Sequence, residues 1–366
     1  MKKLLLILFC LPMAGYGQQT FNFMHNGLNR EYIYYAPANL PADATLVFVA
    51  HGYGGSAQDI MNYCGMNTIA DQNSFAVCYP QGTIDSGGNN FWNVGYDFHP
   101  GVTVDDVGYI VSLASYLQTT HQLSVANTFF TGMSNGGELC YLLACETSGV
   151  FRAFAPVAGT VFPNGLSNNI CTPSLPVPIF ETHGRNDNVT EIEGDYNNSG
   201  GWGIYLSIDS IINFWVAQNS LTNLVVDTFP NLNNNNKITI SYKYSDPSTN
   251  NEVWLYTHKS GHNWGDDGDM VIEQEIWNFF SQMSFTAPSW DCLNNACIDP
   301  GTGTGMYLNL AACTSACVVS AIEEYATNKK PLKVTDLLGR EAKEIKNSIL
   351  FYIYDDGTVE KKIILE

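Results

Sequence analysis

Apolar residues fall into two rhythms along this chain. Continuous apolar runs at Thr45–Ala50 and Phe75–Tyr79, with further strand-like stretches at Asn127–Thr131, Phe154–Val157, Val177–Thr182 and Val253–His258, read as strands of a sheet covered on both faces. Between them, Asp105–Gln118 repeats at helical spacing through Val107, Ile110, Val111, Ala114 and Leu117. Further helices are expected at Asn135–Cys145, Ser207–Gln218 and Ile272–Met283. Near the N-terminus, Phe21–Asn26 and Glu31–Ala36 flank Gly27-Leu28-Asn29, a hairpin signal. Strands alternating with helices predict an α/β fold over residues 18–285, a mostly parallel sheet with helices on both faces.

The pattern changes at both ends. Lys2 and Lys3 precede the apolar run Leu4–Leu11, and Gly15-Tyr16-Gly17 follows. This reads as a signal peptide over residues 1–17, too short to span a bilayer. The protein is therefore expected to be exported, then secreted or attached at the cell surface, with cysteines free to oxidise. After residue 285, Cys292, Cys297, Cys313 and Cys317 mark a small Cys-rich module over 286–320. Two disulfides are the favoured reading there, and zinc is the rival. Residues 329–366 alternate as short strands around turns at Leu337-Leu338-Gly339 and Asp355-Asp356-Gly357.

Charge sharpens the division. The chain has 16 basic and 35 acidic residues in 366, a net charge of −19. Residues 18–285 hold six basic side chains against 24 acidic, whereas 326–366 hold eight against seven. Such an acidic body repels phosphate, which argues against nucleic acid and anionic membranes as partners. No other stretch reaches the ~18 apolar residues a membrane span needs.

The strongest chemical signal is Gly132-Met133-Ser134-Asn135-Gly136-Gly137, between an expected strand and helix. That is the context of a nucleophile elbow, in which a sharp turn lifts a serine hydroxyl to the top of the sheet. A serine nucleophile needs a base, and the base needs an orienting acid. Asp187 follows the strand Val177–Thr182, and His262 follows Val253–His258 in Ser260-Gly261-His262-Asn263-Trp264. His258 is the rival base. Of the seven histidines only these two follow the last strand, and His262 is favoured because it sits in the loop. The oxyanion donors are expected to be the N–H groups of Asn135 and of Tyr53, the latter in His51-Gly52-Tyr53-Gly54-Gly55. His51 is read as structural.

These motifs occur in one order with Asp105-Asp106-Val107 and Ala155-Pro156-Val157-Ala158-Gly159. Together, over residues 26–283, they resemble the secreted α/β-hydrolase esterases grouped with feruloyl esterases and polyhydroxybutyrate depolymerases, including carbohydrate esterase family one. The resemblance implies Ser134, Asp187 and His262 as a triad and an ester as substrate. It implies polysaccharide-linked feruloyl or acetyl esters first, and a polyester as the alternative. A non-catalytic carbohydrate-binding or adhesion protein on the same fold is a third reading, disfavoured by the intact triad. Where relatives often continue the histidine motif as Trp-Pro, this chain has Trp264-Gly265-Asp266-Asp267. Residues 331–366 resemble the C-terminal sorting domain of type IX secretion in Bacteroidota, which implies the secretion machinery as a partner.

Other residues carry weaker signals. Trp92 and Trp264 are candidate substrate-stacking residues. Asp105-Asp106 suits a helix cap and dipole. Asp266, Asp267 and Asp269 do not match an EF-hand, so a solvated loop is expected there. Cys145 is expected to pair with Cys171 and Cys64 with Cys78, leaving Cys140 as a buried thiol. No metal or organic cofactor is expected for the chemistry.

Overall fold

The protein is seen here as a computed structural model that describes residues 19–162, 171–232, 237–265, 269–286, 290–293, 296–299, 306–307, 309–317, 330–343 and 348–363. The expected signal peptide, Asp266 and Asp267 lie outside these residues.

Two compact units divide at Phe285/Thr286. The first opens with β1 (Gln19–His25), β2 (Leu28–Tyr35), β3 (Leu46–Ala50), α1 (Ala57–Tyr63), α2 (Met66–Asn73) and β4 (Ala76–Pro80). The small pair β5 (Thr83–Ile84) and β6 (Asn90–Phe91) precedes α3 (Asp106–His121) and β7 (Thr128–Met133). Then come α4 (Asn135–Glu146), β8 (Ala153–Val157), β9 (Ile179–Gly184), α5 (Ile208–Gln218), β10 (Asn223–Thr228), β11 (Ile240–Ser245), β12 (Glu252–His258) and α6 (Ile272–Met283).

Ten strands form one sheet in the order β1-β2-β4-β3-β7-β8-β9-β12-β11-β10. Its centre, from β4 through β12, is parallel. The hairpin β1–β2 and the pair β11–β10 close the two edges antiparallel. Because side chains alternate across a strand, β3 sends Val47 and Val49 into one core and Leu46, Phe48 and Ala50 into the other. Helices α3, α4 and α5 cover the second face through Ile110, Leu113, Leu139 and Trp215. Helices α1, α2 and α6 cover the first. Helix α6 shows why it forms: Ile272, Ile276, Phe279, Phe280 and Met283 recur on one buried stripe. Burying each is worth up to about 1.5–3 kcal/mol.

The same alternation corrects one expectation. Cys64 and Cys78 are both buried free thiols, not a disulfide. Cys78 points into the core that holds Phe48, whereas Cys64 lies in the core that holds Val77 and Tyr79, on the opposite face. No side-chain rotation brings them together across the sheet. Cys145–Cys171 does form, and Cys140 is a buried thiol.

The second unit contains the hairpin β13 (Asp291–Leu293) and β14 (Ala296–Ile298), then α7 (Leu310–Cys317). Cys292–Cys317 and Cys297–Cys313 staple hairpin to helix. Sulfurs so bonded offer no thiolate, which removes the zinc reading. Strands β15 (Pro331–Thr335), β16 (Ile349–Tyr354) and β17 (Val359–Ile363) form an antiparallel sheet with Leu350, Tyr352 and Tyr354 buried. Among the described residues no helix is long and apolar enough to cross a membrane.

Candidate active site

Ser134 occupies the single residue between β7 and α4, at φ 56° and ψ −122°. A non-glycine residue there stores about 1–3 kcal/mol of strain. The surroundings hold it: Ser134 N–H donates to Val157 O at 2.8 Å, and Ser134 O accepts from Glu138 N at 2.9 Å. Glycines make the turn possible by close approach. A Cβ on Gly132 would lie 2.6 Å from Gly136 O, and one on Gly136 would strike the Ala50 carbonyl.

Asp187 and His262 leave the same, C-terminal ends of neighbouring parallel strands, β9 and β12. His262 Nδ1 donates to Asp187 Oδ2 at 2.7 Å. The other carboxylate oxygen accepts from Val189 N and Thr190 N, each at 2.9 Å. Burial alone raises the Asp187 carboxyl, but the His262 hydrogen bond and charge and the backbone donors outweigh it and hold it below its usual range. With Nδ1 engaged, His262 keeps Nε2 for a serine hydroxyl. His258 is fully buried as the last residue of β12, in register with Gly184, and does not take the Asp187 bond.

In the turn after β3, Gly54 N–H is spent on Asn90 O and Gly55 N–H on Gly52 O. Tyr53 is anchored by its hydroxyl, which donates to Asp85 Oδ2 at 2.5 Å. The Asn135 side chain is locked on the Trp92 backbone: Oδ1 accepts from Trp92 N at 2.7 Å, and Nδ2 donates to Trp92 O at 3.1 Å. His51 is structural, as expected. Its Nε2 accepts from Gly82 N at 2.9 Å, and burial lowers its pKa to about 4, which keeps it neutral.

Trp92 overturns its expected role. It is wholly buried, and its indole N–H donates to His51 O at 2.9 Å. It therefore braces the turn that carries Tyr53 and offers no face to a substrate. Trp264 is buried among Ile272 and Ile276, with one side on an open cavity of about 430 Å³ shared with Tyr63 and Met270. Asp105 caps α3 by accepting from Gly108 N at 2.8 Å, as expected. Asp106 instead takes a buried ion pair with Arg30 at 2.7 Å and accepts from Asn93 N at 2.7 Å. Asp269 departs from the solvated loop expected there: it is buried, and its Oδ1 accepts from Leu232 N at 3.0 Å.

Three acidic or basic groups here are given no role by the sequence. Glu138 lines a small cavity with Ser134, and Glu181 and His183 form a buried pair beside Asp187. Glu138 and Glu181 border apolar runs, where a charged residue is the visible signal.

Comparison with known proteins adds a context for this geometry. Residues 30–200, a little under half the chain, match the family described as esterase PHB depolymerase. The chain is 26% identical over 175 residues to a bifunctional acetylxylan esterase/xylanase of Neocallimastix patriciarum, covering 47% of this chain and 24% of that protein. It is 28% identical over 172 residues to feruloyl esterase B of Thermothelomyces thermophilus, covering 46% and 58%. It is 27% identical over 144 residues to poly(3-hydroxyalkanoate) depolymerase C of Paucimonas lemoignei, covering 38% and 34%. The chain thus spans between a quarter and three fifths of these relatives. The acetyl xylan esterase structure from Aspergillus awamori superposes with a TM-score of 0.52 at 16% identity, covering 72% of this chain and 99% of that one. The first unit, with its parallel centre, helices on both faces and serine on a strained strand-to-helix turn, has the α/β-hydrolase fold.

Proposed function

We propose that the protein is a serine carboxylic-ester hydrolase working through an acyl-enzyme. What supports this above all is the 2.7 Å bond from His262 Nδ1 to Asp187 Oδ2, on the strand edge that also carries Ser134. In this reading Ser134 Oγ attacks the ester carbonyl and its proton passes to His262 Nε2. His262 then protonates the leaving alcohol and later activates water for deacylation. Asp187 stays ionised and fixes the imidazole tautomer. The N–H groups of Tyr53 and Asn135 stabilise the tetrahedral oxyanion, each worth about 2.7–4 kcal/mol.

The substrate class proposed is a feruloyl or acetyl ester carried on plant polysaccharide, in line with two of the relatives named above. A polyester substrate is the second reading, favoured by the family match over residues 30–200. Hydrolysis of methyl ferulate, p-nitrophenyl acetate, acetylated xylan and polyhydroxybutyrate separates them. Turnover of none of the four would sink the esterase reading. Export by the type IX route, with 329–366 as the sorting segment, is a further proposal, tested by cell fractionation with and without those residues.

A further inference from the structure

We propose that Glu138, held by Tyr96, forms a polar subsite beside Ser134 that hydrogen-bonds an alcohol hydroxyl of the substrate and sets specificity for it. This rests on the esterase reading and names what that site selects. Helix α4 is apolar on its buried face, through Leu139, Cys140, Leu143 and Ala144. A carboxyl in that setting costs several kcal/mol unless something pairs with it. Tyr96 OH donates to Glu138 Oε2 at 2.5 Å, and Asn135 Nδ2 reaches the same oxygen at 3.4 Å. Among the described residues both side-chain bonds thus go to Oε2, and no cation pairs with the group.

The residue lies on the wall of the small cavity that also exposes Ser134, Phe162, Trp202 and Tyr205. Among the described residues no side-chain bond engages Oε1, and the residue lines the same cavity as Ser134. Burial pushes its pKa up to about 7, against weaker lowering by Tyr96 and Asn135. Both protonation forms are then present near neutrality. A hydroxyl suits both, donating to the carboxylate and accepting from the acid. An anionic group is repelled by the ionised form, and an ammonium suits only that form.

The hydroxyl can belong to the acyl part or to the alcohol part, and two substrate pairs separate these sources. One pair is p-nitrophenyl 3-hydroxybutyrate against p-nitrophenyl butyrate. The other is a monoacetylated methyl xyloside against cyclohexyl acetate. The wild type is expected to favour the hydroxylated member of one pair by about tenfold or more in kcat/KM. Glu138→Leu should bring that ratio to within roughly threefold of one, and Glu138→Gln should keep most of it. A merely structural role would lower both members of a pair alike. Equal wild-type rates within both pairs overturn the proposal, as does a ratio that survives in Glu138→Leu, or a stronger preference for an ammonium-bearing acyl group. The wild-type comparison decides even if the leucine variant does not fold. If the plain esters turn over and the ratio is near one, only the Glu138 proposal falls. If no ester turns over, the esterase reading falls and takes this one with it.

Discussion

His183 Nε2 lies 3.7 Å from Oδ2 of Asp187, the same oxygen that accepts from His262. Its two ring nitrogens face only acceptors: Glu181 Oε1 at 2.8 Å and Thr190 O at 2.8 Å. Burial opposes the charged ring, but the Glu181 hydrogen bond and charge outweigh it and raise its pKa, so the imidazolium is the form that fits. The His183 ring, paired with Glu181 within β9, donates to Thr190 O and so ties the loop carrying Asp187 to that strand. Glu181→Gln removes the nearer of the imidazolium's two counter-charges and leaves only Asp187 at 3.7 Å. It should cost about 3–5 kcal/mol, read from urea unfolding. A loss under 1 kcal/mol would mean the pair is neutral.

The proposed triad makes its own demand. Ser134→Ala and His262→Ala should each lower kcat by several orders of magnitude, since the three groups act as a unit. Asp187→Asn should cost about 10⁴-fold, because it favours the wrong imidazole tautomer. Initial rates on p-nitrophenyl acetate, with circular dichroism to verify folding, check all three. A His262→Ala enzyme with near-native kcat would remove the base assignment.

Much of this arrangement was legible because it is local. The strands β3, β4, β7, β8, β9 and β12 are continuous buried runs, and Ser134, Asp187 and His262 follow three of them in motifs read directly. Strand β10 leaves no such mark, because every one of its residues is exposed at the sheet edge. Helix α1 was also missed, although Ser56 accepting from Asp59 N is a cap the sequence displays. The role of Trp92 is hidden for another reason. Its partners, His51 O and the Asn135 side chain, lie about forty residues away, and no spacing rule reports such pairings. The same holds for Arg30 and Asp106.

Stability should fall in acid through Asp187. Its folded-state pKa is depressed, so the contribution of its pairing is complete above the unfolded value near 3.9 and is lost as pH falls through the folded value. The unfolding free energies of wild type and Asp187→Asn should therefore differ by a constant amount above about pH 4 and converge below it. A gap that widens in acid would contradict the depressed carboxyl.

Cysteine chemistry should separate into two classes. Cys145–Cys171 ties the end of α4 to the segment before β9, and removing it should cost about 3 kcal/mol by chain entropy. Cys64, Cys78 and Cys140 should resist a thiol reagent until the protein unfolds. Burial raises all three thiols, Cys64 to about 12, so little thiolate forms. Fast labelling of the native protein at Cys64 or Cys78 would contradict their place in the two cores.

A buried brace lies under the proposed oxyanion turn. Arg30 is buried, pairs with Asp106 Oδ1 at 2.7 Å, and lies 3.9 Å over the Tyr109 ring. Asp106 Oδ2 in turn accepts from Asn93 N, beside Trp92. Trp92 reaches both His51 O and the Asn135 side chain, so one chain of contacts runs from β2 to one proposed oxyanion donor residue, Asn135, and to His51 in the turn that carries the other. Arg30→Met keeps the bulk and strands a buried carboxylate, which should cost about 3–5 kcal/mol. Arg30→Met with Asp106→Leu removes both charges and should recover much of that stability. The double variant still loses the carboxylate that held Asn93 N, so the turn is less well positioned. Its kcat should therefore stay below wild type while KM changes little, because oxyanion donors act in the transition state. Full recovery of kcat with the regained stability would show that the pair supports the fold alone.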